Sequence, residues 1–198
     1  MGRPAKFDRQ SAVELVMNEI WRSGFEACSV KAISEKLEIT RSSFYNAFGS
    51  REALFIEALE LYFTQSPDKA LAMVDDNASI LKVLTQVFKE VCRVRASDPE
   101  ARGCMAVNCI AELVGVDETL GPVLKKAILD RLDRLEYLLD QAVANGEIEN
   151  KGDSREKALA VQNLFVGLNV MAKVVRSEDD LWAVAKQTLK GLRLYSLL

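Results

Sequence analysis

The chain has 198 residues, 49% hydrophobic and 28% charged, with only four prolines, a composition that excludes a disordered or collagen-like protein. Its four cysteines (Cys28, Cys92, Cys104, Cys109) show no CxxC spacing and histidine is absent, so neither a zinc site nor histidine-based catalysis is supported; no metal and no cofactor are expected. No apolar run approaches the ~20 residues of a membrane span and Met1–Lys6 lacks the apolar core of a signal peptide, so a cytoplasmic chain with reduced thiols is expected.

The net charge of −3 does not by itself suggest a nucleic-acid binder, and residues 1–63 carry eight Lys/Arg against nine Asp/Glu. The distribution says more. Arg3, Lys6 and Arg9 cluster beside one acid, and residues 40–51 hold Arg41 and Arg51 with none, a local footprint sufficient for phosphate contact.

Helical periodicity recurs along the chain, and strand signals are almost absent. Val13, Val16, Met17 and Ile20 predict a first helix over Asp8–Ser23, stopped at Gly24. Ser29 caps a short second helix with Val30, Ile33 and Leu37 facing inward, Glu38–Thr40 turns the chain, and Thr40 caps a third helix over Arg41–Phe48. Two short helices so tightly joined make a helix-turn-helix over about 29–48. Ser50 caps a fourth helix to Phe63, and residues 64–68 read as a connector. Beyond it, helices are predicted over Asn77–Ser97, Arg102–Val116 and from Leu120 to Asn145-Gly146. In the last of these, Lys125, Lys126, Asp130, Arg131, Asp133 and Arg134 read as a solvated face. Two more follow, at Ser154–Val175 and Ser177–Leu197.

At residues 29–55 the sequence closely resembles the DNA-binding domain of the TetR family. The carriers are Ala32-Ile33, Phe44-Tyr45-Asn46-Ala47-Phe48 and Ser50-Arg51-Glu52, in register over residues 7–63. Glu38 departs from the pattern, standing where the family usually has glycine; a left-handed backbone there costs a non-glycine residue roughly 1 kcal/mol. The resemblance implies an all-α fold of about nine helices. A three-helix helix-turn-helix DNA-binding domain (7–63) is followed by a larger helical sensor and dimerisation domain (64–198).

The residue types agree with that reading. A recognition helix needs short polar side chains at its N-terminus, where the dipole meets phosphate, and Thr40, Arg41, Ser42 and Ser43 meet that need; Ser29, at the start of the second helix, is counted with them as a DNA contact. Tyr45 offers a phenol for a phosphate, Asn46 a bidentate pair for adenine, and Ala47 a contact for a thymine methyl. Arg51 is expected to clamp the DNA backbone, and Arg3 and Lys6 to enter a minor groove. Phe44 and Phe48 are read as core.

Such a domain contacts few bases alone, so a homodimer reading two half-sites of double-stranded operator DNA is expected. The apolar Leu164, Val166, Val170 and Met171, with Gly167 for close approach, mark the seam, and the resemblance implies a four-helix bundle with two helices from each subunit. Arg102–Asn108 resembles a Gly-Cys-x-x-Val motif of one branch, which includes electrophile-sensing repressors of the N-ethylmaleimide-reductase type; Gly167–Lys173 is similar to the same branch. Cys104, Asn108 and Glu112 fall within about 80° on one helix face. Gln162, Asn169 and Lys173 make a second polar stripe. The stripes line an effector pocket or face solvent or a partner chain. Two routes of release from DNA are open: thiol modification at Cys104, and a non-covalent small molecule. An enzyme lacks a supporting constellation, and an architectural DNA protein without an effector leaves residues 64–198 unexplained.

Overall fold

The computed structural model describes residues 8–75, 78–149 and 153–197, so Arg3 and Lys6 lie outside the described residues. Among these, nine α-helices and one short 3-10 helix account for the regular structure. They are α1 (Arg9–Ser23), α2 (Val30–Lys36), α3 (Arg41–Phe48), α4 (Arg51–Gln65), the 3-10 helix (Pro67–Leu71), α5 (Ile80–Ser97), α6 (Met105–Leu113), α7 (Leu120–Ala144), α8 (Ser154–Met171) and α9 (Glu178–Gly191). Most starts are set locally by a side chain that accepts one of the orphan N–H groups of a first turn. Asp8 accepts from Ser11 at 2.7 Å, Ser29 from Ala32 at 3.2 Å, Thr40 from Ser43 at 3.1 Å and Asp153 from Arg155 at 2.7 Å.

Several boundaries differ from the sequence expectation for reasons outside the local sequence. The connector at 64–68 becomes the 3-10 helix, with Pro67 at its first position. The sixth helix is nine residues long rather than the predicted Arg102–Val116. Ala101 (φ 53°) and Gly103 (φ 69°) break it before Met105, and Gly115 (φ 83°) follows its end. α8 stops at Met171, short of Val175, and α9 stops at Gly191.

Two compact units result. The first comprises residues up to Gln65 together with Cys104–Leu124; the second comprises Ser66–Gly103 and Lys125 onward. The cut at 63/64 drawn along the sequence therefore leaves out α6 and the first turn of α7, which pack with the helix-turn-helix. The first core joins Val16, Met17 and Ile20 of α1 to Phe44 and Phe48 of α3, Leu54 and Phe55 of α4, and Met105, Cys109 and Leu113 of α6. The second gathers Leu84, Phe88 and Val91 of α5 with Leu132, Leu135 and Leu139 of α7, Val161, Phe165 and Leu168 of α8, and Leu181, Ala185 and Leu189 of α9. Each large apolar side chain so buried contributes roughly 1.5–3 kcal/mol.

The turn between α2 and α3 carries a strained residue. Glu38 has φ 53°, in the left-handed region, one residue after the α2 cap Leu37. Glu38→Gly should stabilise the protein by about 0.5–1 kcal/mol, the relief of that strain less the extra freedom glycine has when unfolded. Urea unfolding with an unchanged m-value is the measurement, and Glu38→Ala is expected to show no such gain.

Candidate nucleic-acid interface

α3 presents one apolar and one polar face. Phe44 and Phe48 are buried in the first core, with ring centroids 5.3 Å apart. They fix the helix against α1 and α4 and leave Arg41, Ser42, Ser43, Tyr45 and Asn46 exposed. Thr40 and Ser43 lock the start, Oγ1 and Oγ lying 3.0 Å apart while Ser43 N–H donates to Thr40. Tyr45 is 52% exposed and packs its ring edge-on against Phe44, which directs the phenol outward. Ser29 is exposed at the start of α2 and uses its oxygen as the cap. Ala47, read as a contact for a thymine methyl, instead packs against the core.

Electrostatics separates the arginines. Arg51 is not a free clamp: its guanidinium lies 3.9 Å from the Phe25 ring centroid and pairs with Glu26 at 3.3 Å and Glu52 at 3.6 Å. Arg9 grips Glu57 with both terminal nitrogens, at 2.5 and 2.6 Å. Arg22 and Lys36 share Glu19, and Lys31 reaches Glu35 at 3.9 Å. Among the described residues up to Gln65, Arg41 is the one cation with no acidic partner. It stands exposed at the first position of α3, where the helix dipole adds to its attraction for an anion. An unpaired arginine in the run Arg41-Ser42-Ser43 was legible from the sequence; the neutralisation of Arg51 by an acid 25 residues earlier was not.

The residues read as sensors have other partners. Glu112 is half-buried on α6, and its carboxylate accepts from the N–H groups of Phe25 at 3.0 Å and Glu26 at 2.8 Å. It thus anchors the turn after α1 instead of facing a pocket. Gly24 has φ 85°, in the region that favours glycine, and a β-carbon there would also lie 2.9 Å from that carboxylate. Cys104 is 6% exposed and caps α6 without a side-chain hydrogen bond; Asn108 is half-buried one turn on. Burial pushes the other thiols up from about 9, Cys28 to about 11 and Cys92 and Cys109 to about 12.

In the second unit, Asn169 is buried and occupied: its oxygen accepts from Arg95 Nε at 2.6 Å and its amide donates to the Phe165 carbonyl at 2.8 Å. Lys173 is exposed, with its stem beside Gly103. A β-carbon on Gly103 would come within 2.5 Å of the Asn169 carbonyl, which accounts for the glycine of the Gly-Cys pair. Arg102, two residues before Cys104, is engaged by Asp98 at 3.2 Å.

α8 is two-faced. Val161, Phe165 and Leu168 belong to the core, and Leu164 packs against it, so Leu164 serves the interior of the unit. The outward face carries Leu159, Val166, Gly167, Val170 (48% exposed), Met171 (50%) and, just past the helix, Val174 (77%), with Val184 of α9 exposed as well. Apart from its own helix backbone and chain neighbours, no described atom lies within 4 Å of where a β-carbon on Gly167 would sit, so the surface there is open. Exposed apolar groups gathered on one helix face in this way are a common mark of a surface that meets a partner. Elsewhere, Arg131 and Arg134 depart from the expected solvated face of α7: Arg131 pairs with Asp68 at 2.6 Å, and Arg134 donates to the Leu71 carbonyl at 3.1 Å.

Residues 16–58 match the family described as bacterial regulatory proteins, tetR family, and residues 81–188 match the tetracyclin repressor-like C-terminal domain. The chain is similar to the HTH-type transcriptional repressor ComR of Escherichia coli (strain K12), 26% identical over 190 residues that cover 96% of this chain and 90% of ComR. It is 24% identical over 168 residues to the HTH-type transcriptional repressor NemR of the same strain, covering 80% of each. Among solved structures, a triple cysteine mutant of the TetR family transcriptional regulator CifR, complexed with 26bp double-strand operator DNA, matches with a TM-score of 0.85. That match has 28% identity and covers 98% of this chain and 100% of that one. No described helix is long and apolar enough to cross a membrane.

Proposed function

Since this chain belongs to the TetR family of bacterial regulatory proteins, we propose that it is a cytoplasmic, dimeric transcriptional repressor without enzymatic activity, reading double-stranded operator DNA through the polar face of α3 and released by a small molecule. The observation that carries the DNA reading is the pairing of an exposed Arg41–Asn46 face with a single uncompensated cation at its start. CifR, a similar protein solved in complex with operator DNA, supports the DNA-binding reading. Arg41 is the phosphate or guanine contact, Asn46 the base-reading amide and Tyr45 a hydrogen-bond donor to a phosphate oxygen. Ser29, Ser42 and Ser43 hold the backbone close, and Arg3 and Lys6 are assigned to the flanking groove.

Arg41→Ala should lower the slope of log affinity against log salt by about one unit and weaken binding to all duplexes. Asn46→Ala should cost roughly 1–3 kcal/mol on the best site and relax preference at one base step. Fluorescence anisotropy on a duplex selected from genomic fragments reads both; unchanged affinity in the two variants means that α3 does not dock.

The outward face of α8 and α9 is the dimer seam of this reading. Val170→Glu should give monomers, because a charge buried in an apolar seam has no partner. Sedimentation is expected to show half the parent mass with full helical content, and operator affinity should fall because two half-sites are no longer read together.

Release is non-covalent in this reading. Cys104 is buried, and the arginine beside it is held by Asp98. In the native protein at neutral pH, iodoacetamide should leave all four thiols unmodified over the time in which the unfolded chain is fully alkylated. Mass spectrometry is the readout; rapid modification of Cys104 with loss of operator binding would favour the covalent route.

A further inference from the structure

The second unit contains a cation whose hydrogen bonding is incomplete. Arg131 lies on α7, three residues after Ile128 and four before Leu135, on the flank of the apolar stripe. Its guanidinium stacks 4.1 Å from the centroid of Phe165, whose other contact is a parallel stack on Phe88, centroids 4.1 Å apart. Nη1 pairs with Asp68 at 2.6 Å. Nε and Nη2 are buried and meet no acceptor among the described residues. Leaving donors of a charged group unmet in the interior is costly, and packing alone gives no reason for it. A second unmet atom lies on α8, the helix whose Phe165 carries the Arg131 guanidinium. Gln162, only 7% exposed and one turn before Phe165 on α8, has a buried Oε1 with no donor.

The unmet donors have a definite shape. Nε–H and Nη2–H point the same way from one edge of the planar guanidinium, the arrangement that takes both oxygens of a carboxylate. Next along the same face, Leu135 and Val161 wall a wholly apolar void with Leu71, Leu84 and Leu138, about 10 Å³ in this state. The void accepts hydrocarbon only after it widens, and Leu71 belongs to the short 3-10 helix that also carries Asp68.

We propose that Arg131 is the carboxylate receptor of the effector site, and that the effector is an organic acid with an apolar body. This rests on the reading of the chain as an effector-released repressor. The acid places its carboxylate on the Nε/Nη2 edge and its hydrocarbon against Leu135, Leu84 and Val161, and Gln162 accepts a hydroxyl or N–H on the same molecule. Asp68 steadies the guanidinium from the other side in the free protein. A second negative charge on Arg131 weakens that pair, and the loss frees the 3-10 helix to move outward with Leu71. The helix begins at Pro67, two residues past the end of α4 at Gln65, so the chain itself links its movement to α4.

The test uses the full chain with octanoate, benzoate and 4-hydroxybenzoate, each beside its primary amide and at matched ionic strength. Calorimetry and thermal melting should show saturable binding and stabilisation by at least one acid and by none of the amides. Arg131→Lys retains the charge without the fork and should weaken that binding about tenfold or more. Asp68→Asn leaves Arg131 in place and should tighten it severalfold, which keeps the test valid if the lysine variant folds poorly. Failure of all three acids to bind, equal binding of acid and amide, or binding unaffected by both substitutions overturns the proposal and leaves the free edge to water. Operator anisotropy separates the two readings. Acid binding without release keeps the carboxylate site and sinks the effector reading, whereas operator binding with no acid bound does the reverse.

Discussion

The Glu112 carboxylate accepts hydrogen bonds from two successive backbone N–H groups, of Phe25 and Glu26, in the turn that follows α1. Those groups lie beyond the end of a helix, have no partner of their own, and are satisfied by an ionised acceptor 87 and 86 residues further along the chain. A charge-assisted bond of this kind contributes about 1.5–3 kcal/mol, more than a neutral one. Its position matters as much as its strength. The Phe25 ring is the surface on which Arg51 lies, and it meets Phe55 edge-on at 5.2 Å, so the start of α4 is built on a residue that Glu112 holds. The helix-turn-helix is thereby tied to α6, and the first unit cannot be understood as residues 8–65 alone.

The second unit uses the same device at both ends of α5. Glu147, in the turn after α7, takes the Ser79 hydroxyl at 2.6 Å and the N–H groups of Ile80 at 2.9 Å and Leu81 at 3.2 Å. Burial pushes this carboxyl up, and the three donors outweigh it, so it lies below the ordinary glutamate value. At the far end Arg176 donates to the carbonyls of Ala96 and Asp98. Helix termini are where backbone groups go unmet, and here distant charged residues meet them. These contacts orient α5 within the unit in a way that apolar packing, which is non-directional, does not.

What could be read from the sequence follows the range of each interaction. The starts of α1, α2 and α3 were legible because Asp8, Ser29 and Thr40 act on N–H groups three residues away. Phe44 and Phe48 were legible as core from their spacing. α6 was drawn too long because Gly103 is dictated by the Asn169 carbonyl, 66 positions later in the chain. The stripe Cys104–Asn108–Glu112 was drawn on one helix face, but α6 begins at Met105 with Cys104 as its cap, and spacing says nothing about what a carboxylate meets: Glu112 met a turn. In α8 the surplus of apolar residues was visible, but its division between core and outward faces needed the packing of α5 and α9. Arg131 was assigned to water with its charged neighbours; its place on the flank of the leucine stripe was the available signal, and Asp68 lies 63 positions away in sequence.

The charge pairing of the helix-turn-helix has a consequence for how the protein distributes itself in a cell. A chromosome offers a vast excess of non-cognate sites, and a regulator with many free cations spends most of its copies on them. In the described residues of this domain every cation but Arg41 is already matched by a carboxylate of the same unit. The described part of the domain therefore adds little generic attraction to the polyanion, and discrimination there falls to contacts that only the right base sequence satisfies. Operator occupancy then tracks the number of protein copies rather than the amount of DNA competing for them, an arrangement suited to a switch maintained by few molecules.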